Sequence, residues 1–255
     1  MLIALTRQIS PRFNECELTH LDRRPIDLDL ARAQHHQYEA ALRELGCEVL
    51  SLPAEPDLPD SVFVEDVALV FDEVAIITRP GAHSRKPEAA SIARALKTYR
   101  TLCTIEAPGT VDGGDVLPVG RTVYIGLSSR SNPAGVEQTQ EFLAPYGYAV
   151  KGVEVTGCLH LKSAVTQVSD DKLLINPAWI DRRIFGEVKF IEVDEAEPSA
   201  ANAVWIGDTV LYPSSFPRTQ QRLEEAGLRL KIVDATEVAK AEGAVTCCSL
   251  IFRAV

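Results

Sequence analysis

Five positions, Asp66, Asp112, His160, Asn202 and Cys247, head five similar stretches of sequence and lie 46, 48, 42 and 45 residues apart. A period of about 45 residues marks a repeat architecture, in which each unit has an apolar face it cannot cover alone. That periodicity constrains the fold more than any single motif. It demands one body of stacked modules, so residues 1–255 read as a single α/β domain.

Each unit reads as strand, strand, helix, strand. Paired apolar runs recur with short polar or glycine breaks: Val67 to Phe71 with Val74 to Ile77, Asp115 to Val119 with Thr122 to Ile125, Ser163 to Val168 with Lys172 to Ile175, and Asn202 to Ile206 with Thr209 to Tyr212. Breaks such as Asp72-Glu73 and Gly120-Arg121 suit hairpins. Helical periodicity follows at Pro87 to Tyr99, Pro133 to Tyr146, Pro177 to Arg183 and Pro217 to Ala226, each before a short apolar strand; Ala31 to Leu45 is the same pattern near the start. The last run, Val245 to Ala254, reads as a strand opened by the thiol pair Cys247-Cys248 and needs partners that Met1 to Thr6 can supply. Such pairing closes the modules into a ring; an open α/β sheet with irregular crossovers is the alternative.

If equivalent positions face a common axis, distant residues converge there. The converging groups are carboxylates (Glu65, Asp66, Asp112, Asp115), the imidazole of His160, and a thiol. Side chains alternate faces along a strand, so only one of Cys247 and Cys248 can point at the site. Thiol, imidazole and carboxylate are a nucleophile, an acid/base and an orienting or cation-binding group. Glu65-Asp66 interrupts an apolar run, and buried carboxylates require a cationic partner, either an internal Arg or a bound guanidinium. Arg85 and Arg130 fall just after the second strands of adjacent units, where two guanidinia can clamp a carboxylate. Acids for one end and Arg for the other describe an arginine-like amino acid.

Composition excludes some classes. A net charge of −10 argues against nucleic acid, and no apolar run approaches the roughly 18 residues that span a bilayer. Six cysteines without CxxC or zinc-ligand spacing, behind a start that lacks a signal-peptide pattern, predict reduced thiols in the cytoplasm.

The segments Leu58 to Asp66, Ile76 to Gly81, Ala107 to Asp115, Leu159 to Lys162 and Thr246 to Leu250 together resemble the dimethylarginine dimethylaminohydrolases of the guanidino-group-modifying (pentein) superfamily, over nearly the whole chain. The resemblance implies a five-bladed α/β propeller of ββαβ units. It implies Cys247 as nucleophile, His160 as acid/base and Asp112 as third catalytic member. Asp66 with Asp112 matches the guanidinium-binding pair, Glu65 a partner for His160, and Asp60 a further substrate-site acid. Arg85 and Arg130 match the carboxylate clamp, Leu18 a lid residue, and Ala241 the position whose carbonyl holds the α-amino group. The loop Lys240-Ala241-Glu242-Gly243-Ala244 departs from the family, where an Asp-Gly pair is more usual.

The implied reaction converts Nω-methylated L-arginine to L-citrulline and an amine through a covalent thiouronium. It needs neither metal nor organic cofactor, and its partner is a small guanidino amino acid; a homodimer is compatible with it. A deiminase or an amidinotransferase is the alternative within the superfamily, though the modest length without large insertions favours the hydrolase. A binding module of the same fold would lack the thiol and imidazole in register.

Overall fold

The computed structural model describes residues 1–254. Its strands form five separate three-stranded sheets, each with one antiparallel and one parallel pairing. Strand β1 (Leu2–Arg7) pairs antiparallel with β15 (Leu250–Arg253) and parallel with β2 (Cys47–Leu52). The other blades are β3 (Ala68–Val70), β4 (Val74–Ile77) and β5 (Thr101–Thr104); β6 (Val116–Val119), β7 (Thr122–Leu127) and β8 (Ala149–Glu154); β9 (Val165–Ser169), β10 (Lys172–Ile175) and β11 (Lys189–Glu192); and β12 (Val204–Ile206), β13 (Thr209–Pro213) and β14 (Arg229–Val233). The first blade therefore joins the two ends of the chain, as the repeat requires, and the Ala254 amide donates to the Met1 carbonyl at 2.8 Å.

Helices cross between the antiparallel pair and the parallel strand. Helix α1 (Leu28–Glu44) starts three residues before its apolar stripe, because the Asp27 carboxylate accepts the Asp29 and Leu30 amides. It buries Ala31, Tyr38 and Leu42 and ends at Gly46, whose φ of 90° suits a residue without a Cβ. Helices α2 (Ala89–Leu96), α3 (Pro133–Leu143) and α5 (Pro217–Glu225) repeat the pattern; α4 (Leu161–Ala164) and α6 (Thr236–Ala239) are single turns. The fourth module breaks it. The expected helix from Pro177 to Arg183 is absent, and a 3-10 turn, Arg182–Phe185, stands in its place. Two local side-chain bonds explain the change: Asn176 Oδ1 accepts the Ala178 amide and Asp181 Oδ1 accepts the Arg183 amide, each drawing the chain into its own turn.

Core residues fall into five clusters, one at each boundary between neighbouring blades. Ile3, Leu5 and Leu250 of the first blade meet Ala68, Ala75, Ile77 and Leu96 of the second, and the remaining boundaries follow suit. Each fully buried aliphatic side chain contributes roughly 1.5–3 kcal/mol. The blades thus bury one another, and no single module holds a core of its own.

At the hub the modules are also hydrogen-bonded in a circle. The Gly114 amide donates to Asp66 Oδ1 (2.9 Å) and the Leu161 amide to Asp115 Oδ1 (3.0 Å). Asn202 Nδ2 donates to the Lys162 carbonyl (3.1 Å), and the Thr246 amide donates to Asn202 Oδ1 (3.1 Å). The Glu65 amide closes the circle on the Cys247 carbonyl at 3.2 Å. Among the described residues no helix is long and apolar enough to cross a membrane.

Candidate active site

The residues that lead into the first strand of each blade do not extend it. They turn inward, in the 3-10 turns Val64–Val67 and Gly113–Asp115, in α4, and in the turn from Ala244 to Cys248. This corrects the expectation that the thiol pair opens a strand: the ladder with β1 begins at Leu250. Tyr38 Oη, donating to the Val245 carbonyl at 2.8 Å and bonded to Ser249 Oγ at 2.7 Å, holds the turn away from the sheet. The two thiols still diverge, now because of the turn. Cys247 faces a cavity, whereas Cys248 lines an apolar cleft against Tyr38, Val233 and Val238.

The cavity, of about 20 Å³, is lined by Cys247, His160, Asp66, Asp60, Arg85 and Arg130, together with Glu17, Phe63, Leu159, Ala241, Glu242 and Gly243. Cys247 and His160 are only 8% and 6% exposed, so both reacting groups lie largely out of bulk solvent. His160 Nε2 lies 3.2 Å from Asp112 Oδ2, while Asp112 Oδ1 accepts the Gly81 amide at 2.8 Å. The glycines beside Asp112 are required by close approach. A Cβ on Gly113 would sit 1.9 Å from the Glu65 carbonyl oxygen, and one on Gly114 would sit 2.6 Å from His160 Nδ1.

Charge sets the protonation states. Burial works against a charged His160, but Asp66, Asp115 and Asp112 outweigh it and raise the imidazole to about 9. Burial and then the negative Glu65 and Asp66 push the Cys247 thiol well above its ordinary value. Near neutral pH the pair therefore rests as imidazolium and thiol. Asp66 is held down at about 2 against its own burial, chiefly by Arg85, whose Nη1 donates to Asp66 Oδ2 at 2.5 Å. Burial raises Asp60, whose oxygens accept the Glu17 amide at 3.2 and 3.1 Å.

Three expectations from sequence meet a different geometry. Glu65 is not bonded to His160: its carboxylate accepts Lys162 Nζ at 2.6 Å and Thr246 Oγ1 at 2.7 Å. It faces a second, larger opening on the other side of the hub, which none of Cys247, His160 or Asp112 lines. Arg85 lines the cavity, but its guanidinium is already bonded to Glu88, Asp66 and the Phe63 carbonyl. Arg130 is less engaged, with Nη2 donating to Thr19 Oγ1 at 2.9 Å and Nη1 at 3.8 Å from Asp112. Leu18, half-buried, packs on the core between the first and last blades instead of lining the chamber. Asp115 braces the hub, its Oδ2 accepting Ser128 and Ser131 hydroxyls at 2.6 Å.

The chain matches the family model described as N,N dimethylarginine dimethylhydrolase, eukaryotic, over residues 14–191. It belongs to the dimethylarginine dimethylaminohydrolase family. A curated N(G),N(G)-dimethylarginine dimethylaminohydrolase of Streptomyces coelicolor is 41% identical over 98% of this chain and 96% of its own length. Among solved structures, Pseudomonas aeruginosa DDAH, as a Cys→Ser mutant complexed with citrulline, is 35% identical with a TM-score of 0.93 over 98% of both chains. A His→Gly dimethylarginine dimethylaminohydrolase, as an adduct with S-methyl-L-thiocitrulline, gives 0.93 at 34% identity over 99% of this chain and 100% of that one. These likenesses cover the whole propeller, so the dimethylarginine dimethylaminohydrolase fold is shared from the first blade to the last.

Lys162 was visible in sequence only as part of a motif; no spacing rule marks it as the counter-ion of Glu65. Breaking a buried pair leaves one charge uncompensated. Lys162→Met should therefore cost about 3–5 kcal/mol of unfolding free energy in a denaturant titration. Adding Glu65→Gln to that variant should recover part of the loss.

Proposed function

We propose that the protein hydrolyses Nω-methylated L-arginine to L-citrulline and dimethylamine or methylamine, with Cys247 as nucleophile. The observation that carries this reading is one cavity holding a thiol, an imidazolium braced by a carboxylate, a low-pKa Asp and an Arg. Asp66, with Asp112 behind His160, gives a guanidinium its counter-charge. Their ligand atoms, with that of His160, lie within 4.8 Å of one another, and the cation we assign there is organic. Arg130, the less engaged of the two arginines, takes the α-carboxylate, while Arg85 stays in its ion pairs with Asp66 and Glu88 and lends only its charge. Asp60 and the Ala241 carbonyl are assigned the α-ammonium, with Leu18 in the segment above.

The chemistry follows from the resting charges. A seated guanidinium offsets the acids that keep Cys247 protonated, so the thiol gives up its proton to solvent water as substrate binds. His160 is already charged and does not accept that proton. The thiolate forms a bond to the guanidinium carbon; as the carbon–nitrogen bond breaks, His160 gives its proton to the departing amine and a thiouronium remains. Neutral His160 then takes a proton from water, whose oxygen attacks the same carbon and releases the thiolate and citrulline. All six cysteines are free thiols, which supports the cytoplasm as the compartment.

Purified protein incubated with asymmetric dimethylarginine should form citrulline and dimethylamine in equal amounts. Ammonia from arginine, with no turnover of the methylated substrate, would instead make it a deiminase; transfer of the amidino group to an added amine would make it an amidinotransferase.

A further inference from the structure

Substrate has to pass a strap, residues 16–21, that crosses the mouth of the chamber between the turn Phe13–Glu15 and α1. Little packing holds it there. Glu17, Thr19, His20 and Leu21 are exposed; only Cys16, at the root of the strap, and Leu18 pack on a core cluster. Its ties are polar: the Ser84 hydroxyl donates to the exposed Glu17 carboxylate, and the remaining ties fall into two sets. In the first, the Glu17 amide donates to Asp60 and Arg130 donates to Thr19 Oγ1. In the second, the amides of Thr19, His20 and Leu21 all donate to the Glu242 carboxylate, at 2.9, 2.5 and 2.6 Å.

The two sets have different fates when substrate arrives. Asp60 and Arg130 are groups that the proposed function gives to the substrate headgroup, so those ties compete with substrate. Glu242 has no such rival assignment, and its site is rigidly built. Gly243 packs so closely on Phe63 that a Cβ there would lie 2.3 Å from the ring, and the Gly243 amide donates to the Val238 carbonyl at 3.0 Å. Glu242 has a φ of 57°, making it the one non-glycine residue with positive φ among the described residues. An L residue adopts that conformation at a cost, and such strain collects where function requires it. Here it aims a carboxylate at three successive amides, each bond charge-assisted.

We propose that Glu242 is the positioning residue that latches the strap over the chamber and thereby sets access to Cys247 and retention of substrate. The effect on substrate rests on the function proposed above; the latch itself does not. Opening frequency in the parent protein is then governed by the three amide–carboxylate bonds, and the Asp60 and Arg130 ties are exchanged for substrate while the latch stays shut.

The test is Glu242→Gly, which removes the carboxylate and also relieves the backbone, with Glu242→Gln as an isosteric second variant. Iodoacetamide labelling without substrate, read by the mass of the Cys247 peptide, should be about tenfold faster in both. Labelling of Cys248 and Cys47 should stay at the parent rate. With a turned-over guanidine, KM should rise more than kcat falls. Unchanged Cys247 labelling overturns the latch; so does a parallel rise at Cys248 and Cys47, which would mean general loosening. A parent protein that turns over no guanidine would sink the proposed function and leave the labelling result standing.

Discussion

Cys247→Ser should leave no measurable citrulline formation, while Cys248→Ser should retain most of it. The two thiols are neighbours in sequence, similarly buried, and both raised by burial, Cys248 to about 12. What separates them is direction. Cys247 lies in the wall of the chamber shared with His160 and Asp66; Cys248 has its sulfur 3.7 Å from the Ala244 carbonyl and its face in the apolar cleft beside Tyr38. A serine at 247 supplies a hydroxyl too poorly ionised to attack a delocalised cation, and no base in the chamber is free to activate it, since His160 is protonated. The check is a steady-state assay of both variants beside the parent. Equal loss in the two would mean that the turn presents the other sulfur.

His160→Asn is expected to lower kcat by about 10²- to 10⁴-fold, the usual worth of acid/base assistance. Its loss hampers both halves of the reaction, so the covalent adduct on Cys247 should persist long enough for mass spectrometry. The pH profile adds a second readout. His160 must enter the cycle charged, so activity falls as pH rises through about 9, and the variant loses that alkaline limb. Stability moves the same way. A histidine raised from 6.5 to about 9 by folding contributes stabilisation that is complete below 6.5 and lost as pH rises through about 9. Denaturant midpoints measured from pH 6 to pH 9.5 should decline in the parent and decline less in His160→Asn. Glu88, raised to about 7 mainly by burial, adds to the decline at the lower end of that range.

The five modules and their closure were legible because each depends on periodic burial, which sequence records directly. That Asp112, His160 and one of the two thiols would meet at the hub was legible for the same reason, since they hold equivalent places in the repeat; the choice of Cys247 over Cys248 rested on the family resemblance. The misreadings share another cause. Glu65 and Asp66 are adjacent, and periodicity cannot say which of two neighbours faces which side of the hub. The 3-10 turn sends Asp66 to the chamber and Glu65 to Lys162. Arg85 is engaged by Glu88, which three residues' separation puts at its side, a neighbour that the repeat register of the two arginines does not reveal. The fourth module's helix failed because Asn176 and Asp181 bond locally, a competition that apolar spacing does not register. Glu242 stood inside the one loop that departs from the family pattern, but its reach to the strap required coordinates.

The circle of hydrogen bonds at the hub bears on how a nearly rotational body recognises an object with no symmetry at all. Five interchangeable seats would offer a ligand five interchangeable orientations. Here each seat is filled differently: an acid, an acid beside two glycines, an imidazole, an amide and a sulfur. The amide, Asn202, takes no part in the reaction as proposed. Its two-sided side chain joins Lys162 to Thr246, so one seat out of five is given over to keeping the other four in register.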